Sequence, residues 1–338
     1  MSRFLIVRLG SLGDVIHAIP AAAALRRVYS SARIDWVVDP RYVELLNLVT
    51  CLDRRVPLDP RMALRGPGRA TFLKALRELR STGYDAVIDF QGLLKSAVLA
   101  RLVGARRTIG FPKAHLREPL ARVLYTHTPD PGDASHVILK NLALLAPLGV
   151  HERRIEFPLL APQTPTVESA AGRVGDAGYV IINPGAAWPN KRWPPERFGA
   201  VALVVQQAFG LRSLVLWGPG EQPLAQAVVA ASSGAAEVSP PTSITDLVGL
   251  ASRARLMISG DTGPLHIAGA VGTPIVALFG PTFPDRNGPW GLYDVTLSRV
   301  EQCECHYQRT CRRPAPCING IEVAEVLSAV RRRMGEDA

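Results

Sequence analysis

The stretch RFLIVRLGSLGDVIHAIPAAAALRRV, residues 3–28, decides the fold. Its first part, residues 3–9, is an apolar run rich in branched side chains, which is typical of a buried strand. A turn with two glycines follows at residues 10–14, and residues 15–28 have the composition of a helix. Strand, short turn and helix in this order predict the first half of a βαβ unit.

The same alternation continues along the chain. We predict further strands over residues 33–38, 84–90, 106–111, 178–185, 212–218, 256–259 and 274–280, and helices over 93–103, 196–209, 263–272 and 321–334. This pattern favours parallel sheets covered by helices on both faces. A Pro-rich segment, residues 157–166, interrupts it and is interpreted as an interdomain linker.

The sequence therefore predicts an α/β protein with two Rossmann-like, doubly wound domains that face a central cleft. We expect an N-terminal domain over residues 1–160 and a C-terminal domain over 167–320. Residues 321–338 are expected to form a helix that packs back on the N-terminal domain. In such sheets ligands bind beyond the carboxyl ends of the strands, so the turns after the strands are the candidate sites.

The positive charge of the chain lies in its first half. Of the 338 residues, 1–163 contain 24 Lys and Arg and 14 Asp and Glu, whereas the remainder contains 15 of each group. A basic half beside a neutral half indicates that only one half meets a polyanion, such as a nucleic acid, a phospholipid surface or an acidic glycolipid. A compositional bias towards arginine is the other explanation.

The cysteines and the N-terminus bear on the compartment. The first residues show no secretory signal pattern, and no apolar run approaches the ~20 residues of a membrane span, so we expect a cytoplasmic protein, with contact to the inner membrane left open. Disulfides are not expected there. Cys303, Cys305, Cys311 and Cys317 match no zinc pattern, and buried reduced thiols are favoured over a metal site.

Four turns carry candidate chemistry. In the first, two glycines precede Asp14, but the full G-x-G-x-x-G pattern is missing, so a nicotinamide dehydrogenase is not favoured. Asp14 itself is either a helix cap or a functional carboxylate. In the second, Lys191 precedes a helix, where a cation suits a phosphate or is simply solvated. In the third, Asp261 begins a helix whose N–H groups favour a pyrophosphate, with His266 one turn further on. Glu221 suits ribose hydroxyls or a solvated surface.

Together these segments closely resemble the lipopolysaccharide heptosyltransferase family, which has the glycosyltransferase-B fold. The resemblance spans nearly the whole chain through GSLGDVIHAIPA, IDWVVDPRY, YDAVIDFQGLLKSA, NPGAAWPNKRWPPERF, SGDTGPLHIAGAVGTPIVALFGPT and the cysteine-rich tail. IDWVVD and AVIDFQGLLKSA look most like the heptosyltransferase I members, which add a heptose to the acidic sugar Kdo on lipid A.

The resemblance implies a role for each matching position. Asp14 matches the general base. The acceptor is expected near Gly13, Lys113 and Arg117 and near Arg61, Arg65 and Arg69, which are expected to lie in a loop. The donor, ADP-heptose, is expected to contact Lys191, Glu221, Asp261, Thr262, Gly263 and His266. Ala186 and Ala187 stand where some members have hydroxyl residues, so phosphate contacts there would come from the backbone.

The function predicted from this resemblance is inverting transfer of L-glycero-D-manno-heptose to the Kdo inner core of lipopolysaccharide, without a metal or other cofactor. A family member with another acceptor or sugar, such as a heptosyltransferase II, is one alternative. A non-catalytic nucleotide-sugar-binding protein is another. Nucleic-acid binding rests on charge alone and is not expected. The exact acceptor, the oligomeric state and the role of the cysteines stay open.

Overall fold

A computed structural model describes residues 1–64, 66–175 and 178–335. The chain divides into two compact units, Met1–Leu160 and Ala161–Ala338. The division falls inside the predicted Pro-rich linker. Because a helix already begins at Pro165, capped by the hydroxyl of Thr164, the irregular segment is shorter than residues 157–166.

The described residues of the first unit contain one parallel sheet with the strand order β3-β2-β1-β4-β5. The strands are β1 Arg3–Val7, β2 Arg33–Val38, β3 Arg54–Pro57, β4 Ala86–Asp89 and β5 Arg107–Ile109. The helices are α1 Leu12–Val28, α2 Val43–Asn47, α3 Gly66–Thr82, α4 Leu94–Val103 and α5 Val137–Ala143. Chain order reverses between β1 and β4, so the switch point of this sheet lies at their carboxyl ends.

The core of the first unit follows from its apolar strands and its first helix. β1 is buried from Phe4 to Val7 because it lies between β2 and β4. Most of α1 is buried as well, including the run Ala21–Leu25, which explains why this helix has no polar face. The sheet thereby holds the turn between β1 and α1 in one place.

The described residues of the second unit contain a parallel sheet with the order β11-β10-β9-β6-β7-β8. Its strands are β6 Tyr179–Asn183, β7 Arg212–Val215, β8 Ala236–Val238, β9 Leu256–Gly260, β10 Ile275–Phe279 and β11 Val295–Ser298. Its helices are α6 Pro165–Val174, α7 Pro195–Phe209, α8 Gln222–Ala231, α9 Ile244–Arg253, α10 Gly263–Ala270, α11 Pro284–Asn287 and α12 Val323–Met334. The switch point lies between β6 and β9.

The C-terminal helix is anchored in the second unit. α12 packs against α7, β10 and β11 of that unit, and the expected contact with the N-terminal domain stays a prediction. Val326 and Val330 are buried in the core of that unit, and Arg333 donates to Asp294 at 3.1 Å. The apolar face of the helix is therefore covered within its own unit.

The segment around residues 61–69 also differs from expectation. We treated it as a loop, but α3 begins at Gly66, so Arg69 lies on a helix. The short strands β3, β8 and β11 escaped prediction. Across the described ranges, no helix combines the length and the apolar character needed to cross a membrane.

Candidate functional site

Asp14 lies in the first turn of α1, directly beyond the carboxyl end of β1. Its Oδ2 accepts from the backbone N of Ser11 at 3.0 Å and from the hydroxyl of Ser11 at 2.8 Å, which forms a capping box with Ser11 as the N-cap. Its Oδ1 forms a 2.6 Å ion pair with Arg8. Asp14 thus does cap the helix, but its side chain is also 36% exposed, which leaves the carboxylate within reach of a ligand.

Residues after β4 hold the β1–α1 turn in place. Gln91 Oε1 accepts from the backbone N of Leu9 at 3.0 Å and of Gly10 at 3.2 Å, so the two sides of the switch point are joined. The Arg8 guanidinium donates to the carbonyl of Phe90. These bonds fix the backbone on which Asp14 is presented.

The buried carboxylate of Asp89 organises the same loop from beneath. It accepts from the backbone N of Gln91 at 2.8 Å, from Ser96 Oγ at 2.8 Å and from the Tyr125 hydroxyl at 2.7 Å. Burial raises the pKa of Asp89, while these hydrogen bonds oppose that shift. Asp89 is therefore a structural support for the loop.

A cavity of 210 Å³ opens beside this turn. It is lined by Leu9, Gly10, Ser11, Asp39, Arg41, Tyr42, Asp59, Pro60, Arg61, Gln91 and Lys95. These residues follow β1, β2, β3 and β4, so the cavity lies at the carboxyl edge of the sheet. Cationic side chains from separate strand ends suit an anionic ligand.

Two of these cations belong to a repeated motif. Asp-Pro-Arg follows β2 directly at residues 39–41 and follows β3, after Leu58, at residues 59–61. In each copy the arginine Nε donates back to the aspartate at 2.9 Å. The hydrogen bond from the arginine lowers the pKa of Asp39 and of Asp59. Arg41 and Arg61 are 68% and 57% exposed, so both guanidinium groups face solvent as well.

The predicted acceptor residues do not all come together. Gly13 is buried in α1 beside Asp14, and Arg61 lines the cavity. Arg69 on α3, Lys113 and Arg117 are exposed and do not line it. Arg65 lies outside the described residues. The lining also contains Arg41 and Lys95, which the sequence analysis did not single out.

In the second unit Asp261 is the centre of a polar cluster beyond β9. The carboxylate is buried and pairs with the ammonium of Lys191. It also accepts from Thr282 Oγ1 and from Asn287 Nδ2, each at 2.7 Å, and His266 Nε2 lies 3.5 Å away. Burial opposes ionisation, but the hydrogen bond from His266 and the charge of Lys191 hold the pKa of Asp261 well below its usual range.

Lys191 reaches this cluster from the short helical turn Pro189–Lys191, before α7. Its ammonium lies 4.5 Å from the centre of the Trp188 ring, which gives a cation–π contact. A Cβ on Gly260 would lie 2.9 Å from the carbonyl oxygen of Lys191, so the close approach of the two segments depends on that glycine.

The switch point of this sheet is joined by Asn183 at the end of β6. Its Nδ2 donates to Ser259 Oγ and to Thr262 Oγ1, both at 3.0 Å. Thr262 is the N-cap of α10, and its side chain makes no cap hydrogen bond. The N–H groups at the start of α10, from Gly263 onward, have no partners within the helix, so this end favours an anion.

Glu221 lies at the start of α8, against the glycine turn that follows β6. Its carboxylate accepts from the backbone N of Gly218 at 3.2 Å and lies 3.5 Å from Arg192 Nη2. A Cβ on Gly185 would lie 2.1 Å from Glu221 Oε2, so only glycine lets the carboxylate approach this turn. Glu221 and Arg192 are thereby brought to the edge of the sheet that carries Lys191.

A family model described as glycosyltransferase family 9 (heptosyltransferase) matches residues 72–315, which is more than half of the chain. The chain belongs to this family.

Individual relatives agree with this membership. The chain is similar to lipopolysaccharide heptosyltransferase 1 of Pseudomonas aeruginosa, with 30% identity over 91% of the chain and 87% of the relative. It is similar to lipopolysaccharide heptosyltransferase 3 of Escherichia coli, with 27% identity over 94% and 95%. Among solved structures, Escherichia coli heptosyltransferase WaaC with ADP superposes with a TM-score of 0.77 and 25% identity, covering 99% of this chain and all of that one.

This family 9 glycosyltransferase has the predicted α/β class, with the parallel sheets of the glycosyltransferase-B fold. The predictions of an enzyme and of this family are confirmed. The roles of single residues stay predictions.

The four C-terminal cysteines of this glycosyltransferase lie together. Cys303, Cys305 and Cys317 are buried and Cys311 packs against them, with 3.5 Å between the Sγ atoms of Cys303 and Cys305. Burial raises the pKa of the Cys303 and Cys317 thiols. Among the residues that the structure describes, His, Cys, Asp and Glu form no group of three or more suited to a metal. The cysteine-containing segment also contacts the lysine turn, because buried Asn190 donates to Gln308 O at 2.8 Å and contacts Cys305 Sγ at 3.7 Å.

Sequence reasoning missed several residues of these clusters. Thr282 lies in the quoted turn GPT after β10, and its position after a strand was the available signal. The signal for Arg41 was that Asp-Pro-Arg occurs twice, at residues 39–41 and 59–61, and the signal for Lys95 was its place in the helix that follows β4. Asn287 carried no signal, because only the fold brings α11 to Asp261.

Proposed function

We propose that this chain transfers L-glycero-D-manno-heptose from ADP-heptose to the Kdo region of the lipopolysaccharide inner core, with inversion at the anomeric carbon. The observation that carries this proposal is the cluster of Lys191 and Asp261 beside the N-terminus of α10. A cation and a helix N-terminus at a switch point suit the pyrophosphate of a nucleotide sugar. The relative named heptosyltransferase 1 and the structure titled with ADP support the choice of donor.

The two parts of the reaction are assigned to the two units. In the first, Asp14 accepts the proton of the attacking acceptor hydroxyl; a positioned base of this kind typically contributes roughly 10²–10⁴-fold. In the second, the N–H groups from Gly263 onward and the ammonium of Lys191 stabilise the charge that grows on ADP as it leaves. Glu221 is assigned to the ribose hydroxyls, and Asp261 to holding Lys191 as well as to the heptose.

The acceptor is assigned to the cavity beside Asp14. Arg41, Arg61 and Lys95 line it. A guanidinium group binds a Kdo carboxylate or a lipid A phosphate through paired hydrogen bonds, and an ammonium group attracts it as a point charge. The excess of Lys and Arg in residues 1–163 supports an acidic acceptor for this unit. Lys113, Arg117 and Arg69 stay candidates for its outer contacts.

The decisive measurement is acceptor-dependent release of ADP from ADP-heptose with Kdo₂-lipid A. Release that requires both substrates is the expected result. Binding of ADP-heptose without release on this acceptor would contradict the heptosyltransferase I assignment. It would favour the second candidate, a family member with another acceptor, which the match to a heptosyltransferase 3 supports. Binding without turnover on any inner-core acceptor would instead favour a non-catalytic protein.

A further inference from the structure

Five large apolar side chains are exposed on α4 and on the 3₁₀ segment Pro119–Leu124 of the first unit. On α4 these are Leu94, Val98 and Leu102, which are 42%, 40% and 40% exposed. On the 3₁₀ segment, Leu120 and Val123 are 72% and 78% exposed. The two elements pack against each other, so these side chains share one region of surface, here called the apolar patch.

The helical spacing gives the patch a defined border. Leu94, Val98 and Leu102 are four residues apart and form one stripe along α4. Lys95 and Arg101 are the other exposed positions of α4 between Leu94 and Leu102, and at 100° per residue they flank the stripe on opposite sides. The other face of the helix, including Leu99 and Val103, is buried. An apolar stripe with cationic edges is typical of a surface that lies on a membrane.

The second element is held firmly from beneath. Ala121 and Tyr125 are buried, and the Tyr125 hydroxyl donates to Asp89 at 2.7 Å. The Glu118 carboxylate accepts from the backbone N of Leu94 at 2.7 Å, which ties the 3₁₀ segment to the start of α4. The outward position of Leu120 and Val123 therefore belongs to the folded unit.

Charge decides which partner fits. Residues 94–123 contain seven Lys and Arg and a single acidic residue, Glu118, whose carboxylate is engaged in the bond to Leu94. A second copy of the chain would bring one cationic border against another, which is unfavourable. Anionic lipid headgroups complement the border while acyl chains take up the apolar stripe.

We propose that the apolar patch docks the first unit on a bilayer that contains anionic phospholipids. Lys95 belongs both to the border of the patch and to the lining of the cavity beside Asp14. Docking would therefore bring that cavity to the lipid surface. The benefit for a lipid-linked acceptor rests on the proposed function, but the docking itself requires no substrate.

The test is flotation of the full chain with vesicles of equal parts phosphatidylcholine and phosphatidylglycerol, with pure phosphatidylcholine as the comparison. We expect the wild type to bind the anionic vesicles and high salt to weaken that binding. The double variant Leu120→Glu with Val123→Glu should lower the association constant for the anionic vesicles at least about tenfold. Arg101→Glu should lower it about fivefold or more, since it reverses one interfacial charge.

The matched control is Leu292→Glu with Tyr293→Glu, two positions of the second unit that are 87% and 76% exposed. It should bind the vesicles as the wild type does. The proposal is wrong if the wild type does not bind anionic vesicles, or if the patch variant binds them equally well. It is also wrong if the control loses binding to the same extent, or if the patch variant abolishes a dimer in sedimentation without changing vesicle binding. The flotation assay contains neither ADP-heptose nor an acceptor sugar. A failure of the proposed transfer reaction would therefore leave the vesicle binding unchanged.

Discussion

Lys191 and Asp261 form an ion pair that is almost fully withdrawn from water, with side chains 13% and 5% exposed. The carboxylate also accepts from Thr282 and Asn287, so its charge is met from several directions. The ammonium has three N–H donors, and within the described part of the chain its hydrogen bonds in this cluster go to Asp261. Asp261 thus holds the cation in place while leaving it donors for a phosphate.

Replacing Lys191 should weaken donor binding. We expect Lys191→Met to raise the Kd of ADP about 10- to 100-fold, because hydrogen bonds to charged groups contribute about 1.5–3 kcal/mol. Calorimetric titration of ADP measures this directly. Lys74→Met, an exposed lysine of the first unit, is the control and should bind ADP normally. Equal affinities of both variants would remove Lys191 from the donor site.

The stability of the second unit should depend on pH through Asp261. The pKa of Asp261 is lower in the folded protein than the ~3.9 of an unfolded chain. Ionised Asp261 therefore stabilises the folded state fully above the unfolded pKa, and this stabilisation is lost as pH falls through the folded pKa. Asp261→Asn breaks a buried pair and should cost about 3–5 kcal/mol near neutral pH. The difference from the wild type should shrink as pH falls below about 4.

Tryptophan fluorescence during denaturant unfolding measures this effect, because four of the five tryptophans lie in the second unit. Asp285→Asn, an exposed carboxylate on nearby α11, should leave stability unchanged at every pH. A difference between Asp261→Asn and the wild type that stays constant from pH 6 to pH 3 would contradict the assigned pKa direction.

Asp14 should be essential for turnover and dispensable for donor binding. We expect Asp14→Asn to lower kcat about 10²–10⁴-fold, since the amide cannot accept the acceptor proton. Ser11→Ala removes one hydrogen bond to the Asp14 carboxylate but keeps the base, so its kcat should fall at most about tenfold. Both are measured as acceptor-dependent ADP release, with ADP affinity and thermal unfolding as checks. Wild-type turnover in a folded Asp14→Asn variant would contradict the mechanism.

The sequence predicted the parts of the fold that rest on strong local patterns. Long apolar strands next to glycine turns, such as β1 and β6, stand out because a central parallel strand is buried on both faces. β3, with the sequence RRVP, is an edge strand whose first two residues are only half-buried, so it lacks an apolar pattern. The position of α12 depended on tertiary packing that no local pattern encodes.

Some residues of the candidate sites could be predicted from local sequence, and others could not. Asp261 follows β9 directly, and Asp14 and Lys191 lie in the segments that follow β1 and β6. Parallel strands bring the residues that follow them to one edge of a sheet. Arg69 was misplaced because glycine and proline at residues 66–68 suggested a loop, although proline is tolerated in the first turn of a helix. Asn287 and Asn190 act through contacts with residues far along the chain, at Asp261 and Gln308. Their roles follow only from the folded chain.

Turnover should not require an added metal. The charge of the leaving pyrophosphate is assigned to Lys191 and to the N–H groups of α10, which need no divalent ion. We expect ADP release to proceed at the same rate after dialysis against EDTA, and added Mg²⁺ to change it less than about twofold. Loss of activity that Mg²⁺ or Zn²⁺ restores would contradict this prediction.

Asn190 should act as a positioning residue for Lys191. It is buried next to the lysine and bonds the turn to the cysteine-containing segment through Gln308 O. We expect Asn190→Ala to raise the KM for ADP-heptose about tenfold with a much smaller change in kcat, because removing a buried partner costs about 1–3 kcal/mol and lets the turn shift. Gln207→Ala, which removes an exposed amide on α7, is the control and should change neither constant. If Asn190→Ala only lowered the unfolding temperature and left KM unchanged, the residue would stabilise the segment without positioning Lys191.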